Sequence, residues 1–128
     1  MAAQCFWVAL GGAVGAVGRY GISLCGMLPF LQRGVFPLPT LLINLAGAFL
    51  IGLIAQVAAQ RGAQSSSAVL FLKVGLCGGF TTFSTFSLET VTLLSNGKSG
   101  LAAAYVALSV VLCLLGVVLG QWLGQKLA

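Results

Sequence analysis

The sequence predicts an all-α integral membrane protein of four transmembrane helices, with a break in the third and two copies paired as a homodimer. Three observations carry this reading. First, only 5% of the 128 residues are charged: six Lys/Arg against one Asp/Glu, for a net charge of +5 and no His. The chain is 59% apolar, with a mean hydropathy of +1.11. Soluble domains carry about 25% charged residues, so this chain cannot cover a water-facing surface. Disorder is excluded too, because disordered chains are poor in apolar residues. Second, four windows have the roughly 20 apolar residues that a helical span needs. Third, a glycine-led run of hydroxyl residues sits in the middle of the third window.

The first window covers roughly 5–28 and contains Arg19. It is too long for a cleaved signal peptide and lacks a basic leading region. The second covers roughly 40–59, the third 68–94 and the fourth 100–123. The gaps hold turn formers: Pro29, Pro37 and Pro39, then QRGAQSSS, then SNGKSG. No room remains for a second domain, so residues 1–128 read as a single four-helix unit.

Four spans put both termini on one side, with Trp7 and Trp122 at the same interface. Arg61, Lys73 and Lys126 then lie on the terminal side, and Arg33 and Lys98 on the other. So small a bias lets the chain insert either way. Two oppositely oriented copies can pair about an axis in the membrane plane, as the inverted repeats of transporters do. This predicts an antiparallel, dual-topology homodimer. In the fourth span Gly116, Gly120 and Gly124 share a helix face with Tyr105, Ser109 and Cys113. Small residues at this spacing let helix backbones approach closely, and Gly11 and Gly15 repeat the pattern in the first span.

The same composition restricts the chemistry. Without His the usual proton shuttle is missing, and one carboxylate, Glu89, cannot form a dyad within one chain. Cys5, Cys25, Cys77 and Cys113 form no CxxC pair and read as small apolar fillers. The positive charges are dispersed, which excludes a nucleic-acid surface.

The densest signal is GGFTTFSTFS at 78–87. Two adjacent glycines weaken a helix, and membranes tolerate irregular backbone only where it is buried in protein or lines a wet cavity. Carbonyls near Gly78 and Thr81 would suit a cation, and the hydroxyls an anion. The alternative is a Ser/Thr-rich helix whose hydroxyls bond back to their own carbonyls. Phe80, Phe83 and Phe86 either fill space or present electropositive ring edges. Asn44 is an amide well inside the second span, for an interhelical bond or a ligand. Arg19 either snorkels or makes a vestibule positive. Glu89 relays protons or pairs with Arg19 or Lys73. Tyr105 and Ser109 add hydroxyls to the packing face of the fourth span, whereas Gln56 and Lys73 read as interfacial. Such donors and ring edges, with few negative charges, make an anion-friendly polar track.

At these residues the chain resembles the Fluc (CrcB) family of bacterial fluoride channels. The resemblance spans essentially the whole sequence. It rests on GGxTTFSTFS at 78–87 followed by Glu89, INLAGAFLIG at 43–52 and GGxxGxxxRY at 11–20. It implies an antiparallel homodimer in the bacterial inner membrane with two fluoride pores, exporting fluoride passively and conferring fluoride resistance. Phe83 and Phe86 match the pore-lining phenylalanines, which come from opposite subunits at a given pore. Asn44 matches the pore amide, and Arg19 the vestibule basic residue. Carbonyls matching Gly78 and Thr81, from both chains, would hold a structural Na⁺. Tyr105, Ser109, Ser84, Thr40 and Glu89 correspond to a polar track. Cys113 departs from the family pattern, which has Ser there, and Phe80 replaces a Leu and reads as packing. A small four-span cation exporter would need a carboxylate in the first span, where this chain has Arg19. A purely structural subunit would leave the polar centre of the third span unexplained.

Overall fold

The computed structural model describes residues 1–24 and 35–127, and every regular element among them is helical. Helix α1 spans Ala2–Leu24 and α2 spans Leu38–Gln60. The third span is in two pieces. The first, α3 (67–80), runs through Ser67–Val69, a π-helical stretch Leu70–Cys77 and Gly78–Phe80; the second, α4, is Phe83–Ser95. Helix α5 is Ser99–Leu127. Four segments are long and apolar enough to cross a membrane: Ala2–Leu24, Leu38–Gln60, Ser67–Ser95 and Ser99–Leu127. At 1.5 Å rise per residue, the shorter ones reach roughly 35 Å, enough for a hydrocarbon core of about 30 Å. The end of the first predicted window, with Cys25, and the following stretch with Pro29 and Arg33 lie outside the described residues.

The turns form where the breakers predict them. After α2, Gly62 takes φ +62°, the Gly62 amide donates to Ala59 O and the Ala63 amide to Ala58 O. After α4, Gly97 takes φ +70°, with Gly97 donating to Leu94 O and Lys98 to Leu93 O. This paired pattern satisfies the last carbonyls of a helix and needs a residue at ease in the left-handed region.

The helices pack as two close pairs. Helix α1 lies along α3, with Gly11 and Gly15 buried. Here backbone meets backbone: a Cβ on Gly75 would lie 2.8 Å from Gly11 Cα and from Val8 O, and one on Gly79 would strike Gly12. Helices α2 and α5 form the second pair, with Gly52, Gly116, Gly120 and Gly124 buried. A Cβ on Gly120 would lie 2.8 Å from Leu53 N, and one on Gly124 2.8 Å from Gln56 Cβ. Tyr105 and Ser109 are buried on the same face of α5 as these glycines, as the spacing predicts. The core cluster sits at one end of this pair, where Leu41, Leu93, Ala102 and Tyr105 meet under Phe36 and Phe86.

The break in the third span is present, but it falls after the glycine pair. Gly78 and Gly79 are helical, and the chain turns extended at Thr81 (ψ 158°) and Thr82 (φ −148°, ψ 111°). Gly79 instead permits the close approach of α1. The hydroxyls on either side of the break end one helix and begin the next. Thr81 Oγ1 donates to Cys77 O at 2.9 Å, and Thr82 Oγ1 accepts from the Thr85 amide at 3.2 Å as the N-cap of α4. The π-helical stretch before it had no signature in the sequence.

Candidate functional site

The break opens onto a groove of about 430 Å³ between α2, α5 and the third span. Six of the residues singled out from the sequence line it: Asn44, Gly78, Thr81, Phe83, Phe86 and Ser109. Thr82 and both Cys77 and Cys113 line it as well. Cys77 is buried and Cys113 partly buried, whereas Cys5 is exposed. No cluster of three or more His, Cys, Asp or Glu side chains exists among the described residues.

Asn44 is held by a two-point pairing with a single peptide unit. Its Nδ2 donates to Thr82 O at 3.1 Å, and its Oδ1 accepts from the Thr82 amide at 2.8 Å. This pairing changes the carbonyls nearby. In an unbroken helix the Thr82 amide would bond Gly78 O, and the Thr85 amide would bond Thr81 O. Here the first goes to Asn44 and the second to the Thr82 hydroxyl. The two carbonyls are thereby deprived of their helical donors. Such carbonyls at an unwound segment are neutral oxygen ligands suited to an alkali cation, so the residues present fit a site for Na⁺.

The phenylalanines follow the break. The rings of Phe83 and Phe86 lie 5.4 Å apart at an interplanar angle of 42°. Phe83 is 78% exposed on the single chain, an unusual state for a ring beside a cluster of polar groups. Behind Phe86, the ring of Tyr105 lies 5.2 Å away. Among the described residues, Ser109 Oγ is the buried side-chain oxygen without a hydrogen-bond partner. It faces the groove one turn from Cys113.

Thr40, Tyr105 and Glu89 form a separate cluster next to the groove. Thr40 Oγ1 donates to Glu89 Oε1 at 2.8 Å, and Tyr105 OH donates to Glu89 Oε2 at 2.7 Å. The lone carboxyl group is thus paired with two hydroxyls, in place of the Arg19 or Lys73 partnerships that its sequence position allowed. Each hydroxyl has one hydrogen, and both are committed to Glu89. Ser84 is attached to the Thr82 hydroxyl at 3.3 Å and does not line the groove. Arg19 reaches across from α1 to Gly79 O at 3.4 Å, behind the break. Phe80 packs near Gly47, where a Cβ would lie 3.5 Å from its ring.

Residues 6–121 match the profile of the CrcB-like proteins, described as camphor resistance (CrcB). The chain belongs to the CrcB family. The relatives of this CrcB chain agree with the match. A protein of Ruminiclostridium cellulolyticum, named a fluoride-specific ion channel FluC, is 46% identical over 94% of this chain and 92% of its own length. A protein of the same name from Deinococcus radiodurans is 47% identical over 94% of both chains. Another from Methylocella silvestris is 43% identical over 95% of this chain and 90% of its own. With four apolar spans, this CrcB protein is a multi-pass membrane protein.

Six groove residues were legible in the sequence, whereas Thr82 had no role of its own there. The available signal was a threonine directly before F-S-T, an N-cap with its amide partner three residues on.

Proposed function

We propose that two copies of this chain pair in antiparallel orientation and conduct fluoride passively down its electrochemical gradient through two pores. The observation that carries this reading is the groove itself. On one chain it is open, Phe83 is left exposed, and the Ser109 hydroxyl is buried with nothing to bond. A second copy laid across this face would close two such grooves. Each would be lined by donors and ring edges and would lack a free carboxylate. The names of the relatives point to the same ion.

In this reading the ion sheds water stepwise against groups that replace it without holding it tightly. Ser109 Oγ offers its unshared hydrogen. Asn44 commits one Nδ2 hydrogen to Thr82 O and keeps a second. The edges of Phe83 and Phe86, positive through the ring quadrupole, favour an anion where the ring faces would repel it. Arg19, bonded to Gly79 O behind the break, would add positive potential to the path. Glu89, satisfied by Thr40 and Tyr105, is masked and holds the adjacent wall in place. The Gly78 and Thr81 carbonyls of the two copies would hold Na⁺, which would supply positive charge beside the anion path. Export by this route would relieve a cell in which HF enters from acid surroundings and ionises inside.

The test is efflux from liposomes loaded with KF or KCl, started with valinomycin and followed with ion-selective electrodes. Rapid loss of fluoride with chloride retained is expected. Equal loss of both ions, or retention of both by folded dimers in Na⁺ buffer, would overturn the proposal.

A further inference from the structure

The groove carries a second consequence for Asn44 and Thr82, which rests on the reading above that Gly78 and Thr81 present their carbonyls to Na⁺. A carbonyl in a helix is normally occupied by the amide four residues on. For Gly78 that amide belongs to Thr82, and for Thr81 it belongs to Thr85. Both amides are captured: Thr82 N–H by Asn44 Oδ1 at 2.8 Å, and Thr85 N–H by Thr82 Oγ1 at 3.2 Å. The backbone at Thr81 and Thr82 is extended, and no glycine or proline stands at either position to cause it. Without the two captures, the shortest route to satisfying these amides in a membrane is to continue the helix through 81 and 82. That would place an N–H on each carbonyl.

We infer that Asn44 and Thr82 are positioning residues for the cation: each keeps one carbonyl vacant by taking the amide that would otherwise occupy it. Asn44 thus has two separable parts. Its Oδ1 governs the cation site through the Thr82 amide, and its Nδ2 keeps a second hydrogen on a residue that lines the groove. Thr82 acts through its hydroxyl alone, which also bonds Thr85 Oγ1 at 2.9 Å.

The two parts make distinct predictions for bound Na⁺, measured by equilibrium dialysis of purified full-length protein with ²²Na⁺ in K⁺ buffer. Asn44→Leu and Thr82→Val remove an amide acceptor, and each should weaken Na⁺ retention by about tenfold, the equivalent of one competing hydrogen bond. Thr82→Ser keeps the hydroxyl and should retain Na⁺ as the native chain does. Asn44→Asp keeps the acceptor for the Thr82 amide and should retain Na⁺ while losing fluoride flux. Native protein without bound Na⁺ would remove the reading on which the inference rests. Native protein with Na⁺, alongside Asn44→Leu or Thr82→Val holding it equally well, would overturn the inference alone. If those two variants do not fold, the conservative pair decides: loss of Na⁺ from folded Thr82→Ser or Asn44→Asp would also overturn it.

Discussion

Removing the hydroxyl of Tyr105 isolates one hydrogen bond in the membrane interior. Tyr105 is fully buried, and its ring packs against Phe36 at 5.5 Å and Phe86 at 5.2 Å. Tyr105→Phe keeps those ring contacts and deletes only the 2.7 Å bond to Glu89 Oε2. Two magnitudes compete. Hydrogen bonds to charged groups are worth roughly 1.5–3 kcal/mol. Interhelical bonds in membranes average only about 0.6 kcal/mol, because the separated helices find other partners. Glu89 is the chain's sole carboxyl group, and Thr40 and Tyr105 are its partners from other helices. Separated helices offer it little replacement, so the larger figure applies. We expect Tyr105→Phe to cost about 2 kcal/mol, a shift of roughly 30-fold in the unfolding equilibrium. In a Glu89→Leu background the same change should cost almost nothing, giving a coupling near 2 kcal/mol. Reversible unfolding by SDS titration in bicelles, run as a double-mutant cycle, measures this. A coupling below about 0.5 kcal/mol would refute the claim that Glu89 is held by this bond.

Other substitutions test the packing and the path. Gly75→Ala should destabilise by about 1–3 kcal/mol, because the added Cβ meets the backbone of Gly11 and Val8. Gly18→Ala on α1, the other helix of this seam, has nothing within 4 Å and should stay within about 0.5 kcal/mol by the same titration. Phe83→Ile or Phe86→Ile keeps apolar bulk but removes the ring edge. Fluoride efflux should fall by about tenfold, equivalent to roughly 1.4 kcal/mol of barrier, and unchanged efflux would rule out a role for the rings. A chain biased to one orientation by added Lys residues should be inactive alone and active when co-expressed with an oppositely biased copy. Full activity of one biased chain would dismiss the antiparallel pairing.

Much of the fold was legible because membranes impose simple length and polarity rules. Each of the four spans matches a predicted window closely where the chain is described, and the glycine faces of α1 and α5 are buried as their spacing predicts. What could not be read depends on which group wins a contested hydrogen bond. The position of the break is one case. Propensity points to Gly78 and Gly79, yet both are helical, because α1 packs against Gly79 and Asn44 captures an amide further along. The partner of Glu89 is another. Charge alone favours Arg19 or Lys73, but the hydroxyls of Thr40 and Tyr105 face it across the α2–α5 pair. The π-helical turn at Leu70–Cys77 is a third, since no residue type in that stretch requires it.

The third span has two sides with opposite demands. Toward α1 it must be smooth, and Gly75 and Gly79 give a backbone-on-backbone seam that no side chain can enter. Toward α2 and α5 it must be rough, with carbonyls whose helical donors bond elsewhere, hydroxyls and an exposed ring at the edge of a groove. An unbroken helix would satisfy the first demand and defeat the second, because its carbonyls would all be taken. A break at the glycine pair would expose carbonyls but open the seam. Displacing the break to Thr81 and Thr82 meets both, provided that something outside the helix holds the Thr82 peptide. Asn44 does this from α2, the helix already locked to α5 by its own glycine seam. The groove is therefore tied to both helix pairs. A substitution in either seam should disturb the break before it unfolds the chain, so Gly120→Ala should alter bound Na⁺ at denaturant levels where the helices remain intact by circular dichroism. Simultaneous loss of Na⁺ and helicity would show that seam and break are not coupled in this way.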